Sequence, residues 1–137
     1  MAFLETRGSA RRLLEGIAPT EITLAGTVYV GDCLGITGGT WVVSADTLGE
    51  QPILVAAVGG ASGDKIKAYP MAVVEVVTTL TNAATVGEKV ALKDTGEYQA
   101  AGAGLPDVGF VASVGSDSLT AILFVCPMAA QLTIQRT

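Results

Sequence analysis

A short pattern that occurs twice restricts the possible folds more than any other feature of the chain. The first copy contains Val30-Gly31-Asp32, the second contains Val86-Gly87-Glu88, and a weaker third copy begins at Gly63-Asp64. A glycine followed by an acid is typical of a tight turn, and the apolar–polar alternation after each copy is typical of a half-buried strand. Each copy is therefore predicted to be a turn that leads into a β-hairpin, with hairpin ends at residues 37–39 and 94–96.

Short apolar runs recur from Glu21 onward, and turn-forming residues separate them. This spacing predicts an all-β fold, a small β-barrel or β-sandwich of short antiparallel strands, over residues 21–126. The 17 glycines and the low aromatic content of 5% agree with strands joined by short turns. The residues predicted to form the core are Val28, Val30, Leu34, Ile36, Val55, Val74, Val90, Leu92, Phe110 and Ile122.

The two ends of the chain depart from this pattern. Residues 1–20 are predicted to form an N-terminal arm, either a short helix over residues 9–17 or, as we favour, an extended segment that lies on another surface. Residues 1–18 contain three arginines and two glutamates, a net charge of +1, although the whole chain has a net charge of −5. Residues 127–137 are predicted to be a tail or a last edge strand. The arm residues expected to contact a partner are Phe3, Leu4, Arg7, Arg11, Arg12, Leu13 and Leu14.

Several classes of function lack the residues that they need. The chain contains no histidine, which removes histidine-based catalysis, and its two cysteines, Cys33 and Cys126, lack the spacing of a zinc site and are expected to be buried thiols. The acidic net charge disfavours nucleic acid as a partner. The uncharged run of residues 118–135 is interrupted by Pro127, so no membrane span is predicted, and the first residues lack the pattern of a secretory leader. We therefore expect no enzyme activity, no metal and no cofactor.

Three weaker interpretations of the turns compete with ordinary turn chemistry. Calcium would need more oxygen ligands in one loop than Asp32, Asp64 and Glu88 supply at separate turns. The glycine-rich residues 59–65 lack the Gly-Lys-Ser/Thr ending of a phosphate loop. Lys93 lies near a hairpin end, as in biotinyl or lipoyl carrier domains, but without their flanking residues. Turn chemistry is favoured at each position.

Taken together, these motifs resemble the small glycine-rich decoration (cement) proteins of tailed bacteriophage capsids. The resemblance is carried by Val30-Gly31-Asp32, residues 53–60, Val86-Gly87-Glu88 with the strand after it, residues 94–96 and residues 108–111, and it covers residues 20–126. It implies a virion structural protein that is made in the host cytoplasm and binds the major capsid protein on the outer surface of the head. It also implies a homotrimer that stabilises the head.

A second class of function stays open from the sequence. The chain is alternatively a non-viral binding module or a lipoyl- or biotinyl-like carrier, with Lys93 or residues 59–63 as its site. An acyl or biotin adduct in the intact mass would favour the carrier, whereas a gene position beside a major capsid protein would favour the decoration protein.

Overall fold

The computed structural model describes residues 3–6, 11–44, 51–93, 96–102 and 107–128, and these form an all-β fold. The predicted fold class is confirmed, and within the described residues neither of the two antiparallel sheets closes into a barrel. The strands are β1 (Arg12–Ile17), β2 (Thr20–Thr23), β3 (Cys33–Thr37), β4 (Thr40–Val43), β5 (Leu54–Ala56), β6 (Lys65–Tyr69), β7 (Met71–Val77), β8 (Lys89–Leu92), β9 (Tyr98–Ala100), β10 (Asp107–Val114) and β11 (Thr120–Val125), with a 3₁₀ turn at Leu80–Asn82. None of the described residues forms a helix long and apolar enough to cross a membrane.

The chain passes between the two sheets at two neighbouring prolines. The six-stranded sheet has the order β1-β7-β11-β10-β8-β9, and the five-stranded sheet has the order β2-β6-β5-β3-β4. Ile17 of β1 pairs with Met71 of β7, and Thr20 of β2 pairs with Ala68 of β6. Pro19 and the residue before β7, Pro70, therefore lie between the same two pairs of strands. Because proline cannot donate to a sheet ladder, both strands leave one sheet and enter the other at this point.

Gly16 belongs to this crossing because of what lies above its backbone. A Cβ atom at this position would collide with the ring of Tyr69, which packs against the core. The absence of a side chain at Gly16 therefore lets the ring cover β1 where the chain changes sheets.

Two clusters of buried side chains hold the fold together. The larger one joins the inner face of the six-stranded sheet, including Val74 and Leu123, to Cys33 and Val55 of the five-stranded sheet. The smaller one lies within the five-stranded sheet, whose edges approach each other where the amide of Ala25 donates to the carbonyl of Trp41, 2.9 Å away. Each fully buried aliphatic side chain contributes about 1.5–3 kcal/mol. The five-stranded sheet therefore curls around its own core, whereas the six-stranded sheet has one covered face and one outer face.

The predicted core is confirmed for six residues and wrong for two. Burial is confirmed for Val28, Leu34, Val55, Val74, Val90 and Leu92, whereas Val30 and Ile122 are half-buried. Ile36 is exposed because β3 pairs with β5 only at Cys33 and Leu34, so Ile36 extends past the covered part. Phe110 is exposed because register shifts on both sides of it turn Val108 and Val111 inward and Phe110 outward.

The N-terminal segment is the main correction to the expected architecture. It was expected to be an arm without a place in the core, yet Phe3 is only 2% exposed and belongs to the larger cluster. The amides of Glu5 and Thr6 donate to the carbonyls of Tyr98 and Val77 at 2.9 and 2.8 Å. Residues 12–17 are extended, as favoured, but they form β1 within the six-stranded sheet. The described part of the segment is therefore built into the body.

Candidate functional site

The three glycine–acid copies form three turns of the same geometry. They occupy residues 29–32, 61–64 and 85–88, and the third residue of each is a glycine with a φ angle of 78°, 90° or 89°. In each turn the amide of the fourth residue donates to the carbonyl of the first, at 3.0 or 3.1 Å. The fourth side chain accepts in return from the amide of the first residue: Asp32 from Tyr29 at 2.9 Å, Asp64 from Ala61 at 2.8 Å and Glu88 from Thr85 at 2.7 Å. Glycine with positive φ at this position is typical of a type II turn.

The first turn differs from the others because an arginine is buried against it. Asp32 is fully buried and forms an ion pair with Nη1 of Arg11, which is only 8% exposed. The Nε of the same arginine pairs with Glu5, and its Nη2 donates to the other oxygen of Glu5 at 2.7 Å. The carbonyls of Val30 and Gly96 accept from the guanidinium at 3.3 Å each. These interactions account for the five N–H donors of the side chain.

Electrostatics keep this arginine charged inside the protein. Burial lowers the pKa of Arg11, but the hydrogen bond and the negative charge of Glu5, together with Tyr98 and Asp32, raise it above its ordinary value. The guanidinium also lies over the ring of Tyr98, with its carbon 5.0 Å from the ring centroid. Since one cation faces two buried carboxylates, removal of the cation would leave both of them unpaired in a medium that solvates charge poorly.

Two neutral acids complete the buried cluster. The hydroxyl of Tyr98 donates to the carbonyl of Gly31 at 2.5 Å and lies 3.5 Å from the sulfur of Cys33. Burial raises the pKa of the Cys33 thiol to about 12 and also raises the pKa of Tyr98. Both groups therefore stay protonated near neutral pH. Together with Glu5, Arg11 and Asp32 they form what we term the buried polar cluster. Its chemistry is that of a clamp, which fastens the N-terminal segment to the first turn.

The structure distributes the predicted partner-binding residues over different environments. Phe3 and Arg11 are buried inside the chain, Leu13 packs against the core, and Leu4 bridges to Gln99. Arg12 is exposed and lies 3.6 Å from Glu75, and Leu14 is also exposed. Arg7 lies outside the described residues. The described members therefore do not form one surface, and two of them, Phe3 and Arg11, are buried inside the chain.

The remaining candidate positions from the sequence, in the glycine-rich loop and at Lys93, form backbone hydrogen bonds within the chain. Among the described residues no group of three or more potential ligands could hold a metal ion. In the glycine-rich loop, the amides of Gly60 and Gly63 donate to the carbonyls of Val28 and Leu24 at 2.9 and 2.8 Å. The backbone of Lys93 bonds to Glu97 and Gly96 at the base of the hairpin. Residues 94, 95 and 129–137 lie outside the described part of the chain, so the hairpin end and the proposed last strand are not placed.

The outer face of the six-stranded sheet carries an apolar groove of about 690 Å³. Ile17 and Met71 lie at one side of it, and Phe110 and Phe124 lie at its centre with their rings 5.4 Å apart in an edge-to-face arrangement. Ile17 is 56% exposed, and the two phenylalanines are 45% and 46% exposed. Exposed apolar side chains that adjoin one another, rather than occurring singly, are typical of an interaction surface. We term this surface the outer face.

The strand register aligns five side chains of the outer face in one row. Glu15 pairs with Val73, Val73 with Phe124, Phe124 with Phe110, and Phe110 with Lys89. The row thus crosses five neighbouring strands, with an acid at one end, a base at the other and apolar residues between them. Glu15 and Lys89 are both exposed.

Sequence reasoning missed the outer face and the buried polar cluster, because both depend on contacts between distant parts of the chain. Phe110 was predicted to lie in the core because β10 carries apolar residues on both faces, and such a run does not show which face is covered. Arg11 was read as part of a basic arm because its acidic partner Asp32 is 21 residues away. A signal for the apolar outer face was available in the six-residue run of β11, which is apolar on both faces apart from Thr120.

Comparison with known proteins finds no family model that matches the chain, and no curated protein matches its sequence.

Proposed function

We propose that the chain is a structural protein, a decoration (cement) protein that binds the outer surface of a tailed-bacteriophage head. The observation that carries the proposal is a two-sheet body with a shared buried core and an apolar outer face. Such a protein needs a body that holds its shape and a surface that binds other proteins. The clamped N-terminal segment supplies the first, and the groove around Phe110 and Phe124 is a candidate for the second.

The turn geometry supports the same proposal. Asp32 and Glu88, which belong to the motifs of the resemblance, and Asp64 of the third turn each cap a turn through a backbone amide. Residues that stiffen turns fit a structural role better than a binding site for a metal or a cofactor. The expected partners are the major capsid protein and further copies of the chain, three of which would meet on the lattice as the resemblance implies. The protein would then be part of the virion and would have no catalytic role.

Decoration would stabilise the head by mass action, because a protein that binds only the intact lattice shifts the equilibrium away from rupture. The test uses heads of the parent phage prepared without this protein. We expect the purified chain to co-sediment with them saturably and to raise the temperature at which they release DNA. An acidic protein of similar size serves as the control. An unchanged release temperature at saturating protein, or the absence of saturable binding, would contradict the proposal.

A further inference from the structure

We propose that the outer face of the six-stranded sheet pairs with the same face of a second copy of this chain, around a two-fold axis parallel to β11. The inference goes beyond the proposed function and does not depend on it, because pairing is a property of the isolated protein. A dimer paired in this way covers the groove that the proposed function names as a candidate for head binding, so a copy that binds a head through this groove must first dissociate from its partner.

The charges at the two ends of the row indicate that a second copy covers the outer face, and they determine the direction of the two-fold axis. Glu15 and Lys89 lie at opposite ends, four strand spacings or about 19 Å apart. When a second copy faces the first around an axis that runs along the central strand, the two ends exchange positions. Glu15 of each copy then lies over Lys89 of the other, so the surface is complementary to itself. An axis perpendicular to the strands would place Glu15 over Glu15, which disfavours that arrangement.

The apolar side chains fit the same arrangement. Phe124 occupies the middle of the five-residue row and would lie on the axis, while the small Val73 of one copy would face the large Phe110 of the other. Asp107, which lines the groove near the Lys89 end, already has an interaction partner within the chain. Burial of this surface removes apolar area from water, whereas the charged ends fix the orientation.

The area of the outer face determines the expected affinity of the dimer. Six strands about 4.8 Å apart and the seven residues of β7 at about 3.3 Å each outline about 550 Å² per copy. Two such faces bury about 1,100 Å², which lies in the range of weak or transient interfaces. The expected dimer therefore dissociates in the micromolar range and is best measured by sedimentation over a wide range of concentration.

Charge reversal tests the geometry. Glu15→Lys and Lys89→Glu should each weaken the dimer about tenfold or more, because each variant creates two like-charge contacts per dimer. The double variant should recover most of the original affinity, since it restores opposite charges across the axis. Lys65→Glu, on the exposed side of β6 in the other sheet, is the matched control and should leave the affinity unchanged. Thermal unfolding of every variant checks that the fold is intact.

A cysteine on the axis gives an independent readout. Cys126 follows β11, lines the groove and lies two residues from Phe124. The two-fold axis along β11 therefore places Cys126 of one copy opposite Cys126 of the second copy. The other cysteine, Cys33, is buried. Two sheets that pack face to face are about 10 Å apart, which suits a short bismaleimide better than a direct disulfide. We expect a cross-linked dimer that Cys126→Ser abolishes and that Glu15→Lys reduces.

Four outcomes would overturn the inference. They are a monomer at concentrations up to about 300 µM, an oligomer that neither reversal weakens, a double variant as weak as the single ones, and an oligomer that does not cross-link through Cys126. A chain truncated after Met128 that dimerises when the full chain does not would instead identify residues 129–137 as the occupant of the groove. Failure of these tests would leave head binding unaffected, and failure of head binding would leave pairing unaffected, so the two proposals are separable.

Discussion

The turns at residues 29–32 and 85–88 have the same sequence pattern and the same backbone, but their surroundings differ. In both, a glycine with positive φ precedes an acid whose carboxylate caps the first amide of the turn. Asp32 is buried beneath Arg11, whereas Glu88 lies in a turn whose hydrogen bond is exposed. The comparison teaches that a local motif determines the turn, while a residue brought from another part of the chain determines how much the turn contributes to stability.

The largest difference is expected when the arginine itself is removed. Arg11→Met leaves Glu5 and Asp32 buried without their counterion, so we expect a loss of about 3–5 kcal/mol in the free energy of unfolding. The matched change Arg12→Met removes an exposed pair with Glu75 and should lower it by about 1 kcal/mol or less. Urea denaturation of both variants measures the difference. Equal effects would show that the buried polar cluster is not a clamp.

Replacement of the two turn acids compares the turns directly. Asp32→Asn keeps an oxygen for the amide of Tyr29 but removes one of the two charges that face Arg11, so we expect a loss of about 2–3 kcal/mol. Glu88→Gln keeps its exposed cap and should lose about 0.5 kcal/mol or less. The shift of the denaturation midpoint distinguishes the two. If both variants lose the same free energy, burial of the first turn has no energetic consequence.

The sequence predicted those features of the fold that depend on neighbouring residues. Glycine–acid pairs predicted the turns, because the φ angle of Gly31 and the cap by Asp32 involve only four consecutive residues. The period-two alternation predicted most strands, including the regular β7. In contrast, β1 was missed as a strand of the sheet because its partner β7 begins more than 50 residues later, and no local pattern reports such a pairing.

The sequence predicted less of the candidate site than of the fold. The exposed position of Phe110 follows from two shifts of strand register, which depend on how β10 meets both of its neighbours. The burial of Arg11 follows from the return of the N-terminal segment to the first turn. Charge alone suggested a solvated arm, because an arginine is seldom buried unless it is paired. In both cases the deciding contact is long-range.

Alanine substitutions at two turn glycines distinguish the cost of backbone strain from the cost of crowded packing. A Cβ at Gly31 would lie 3.1 Å from Cγ1 of Val74 and 3.3 Å from Cδ of Arg11, whereas a Cβ at Gly87 would meet no atom within 4 Å. Both substitutions to alanine force a left-handed backbone, which costs about 1–2 kcal/mol. We therefore expect Gly87→Ala to lose about 1 kcal/mol and Gly31→Ala about 2–3 kcal/mol, because the latter also crowds the cluster. Thermal unfolding measures both, and equal losses would mean that Val74 and Arg11 adjust without strain.

Alkaline pH should lower the free energy of unfolding, because two buried acids beside the first turn, Cys33 and Tyr98, stay protonated in the folded state. Burial raises the pKa of Cys33 to about 12 and raises the pKa of Tyr98, whose hydroxyl donates to the carbonyl of Gly31. In the unfolded chain a cysteine titrates near pH 8.5 and a tyrosine near pH 10, so above about pH 9 the unfolded state binds fewer protons than the folded one. The free energy of unfolding then falls as the pH rises, and the contribution is fully present only below about pH 8.

From pH 8 to pH 10 we expect a loss of about 1–2 kcal/mol, most of it from Cys33, because its unfolded pKa is the first to be passed. Urea denaturation under reducing conditions at the two pH values measures the change. Cys33→Ala removes the thiol and should reduce the loss to less than about 1 kcal/mol, which leaves the contribution of Tyr98. An unchanged loss in this variant would show that the thiol does not titrate on unfolding, and the pH dependence would then have to arise outside the buried polar cluster.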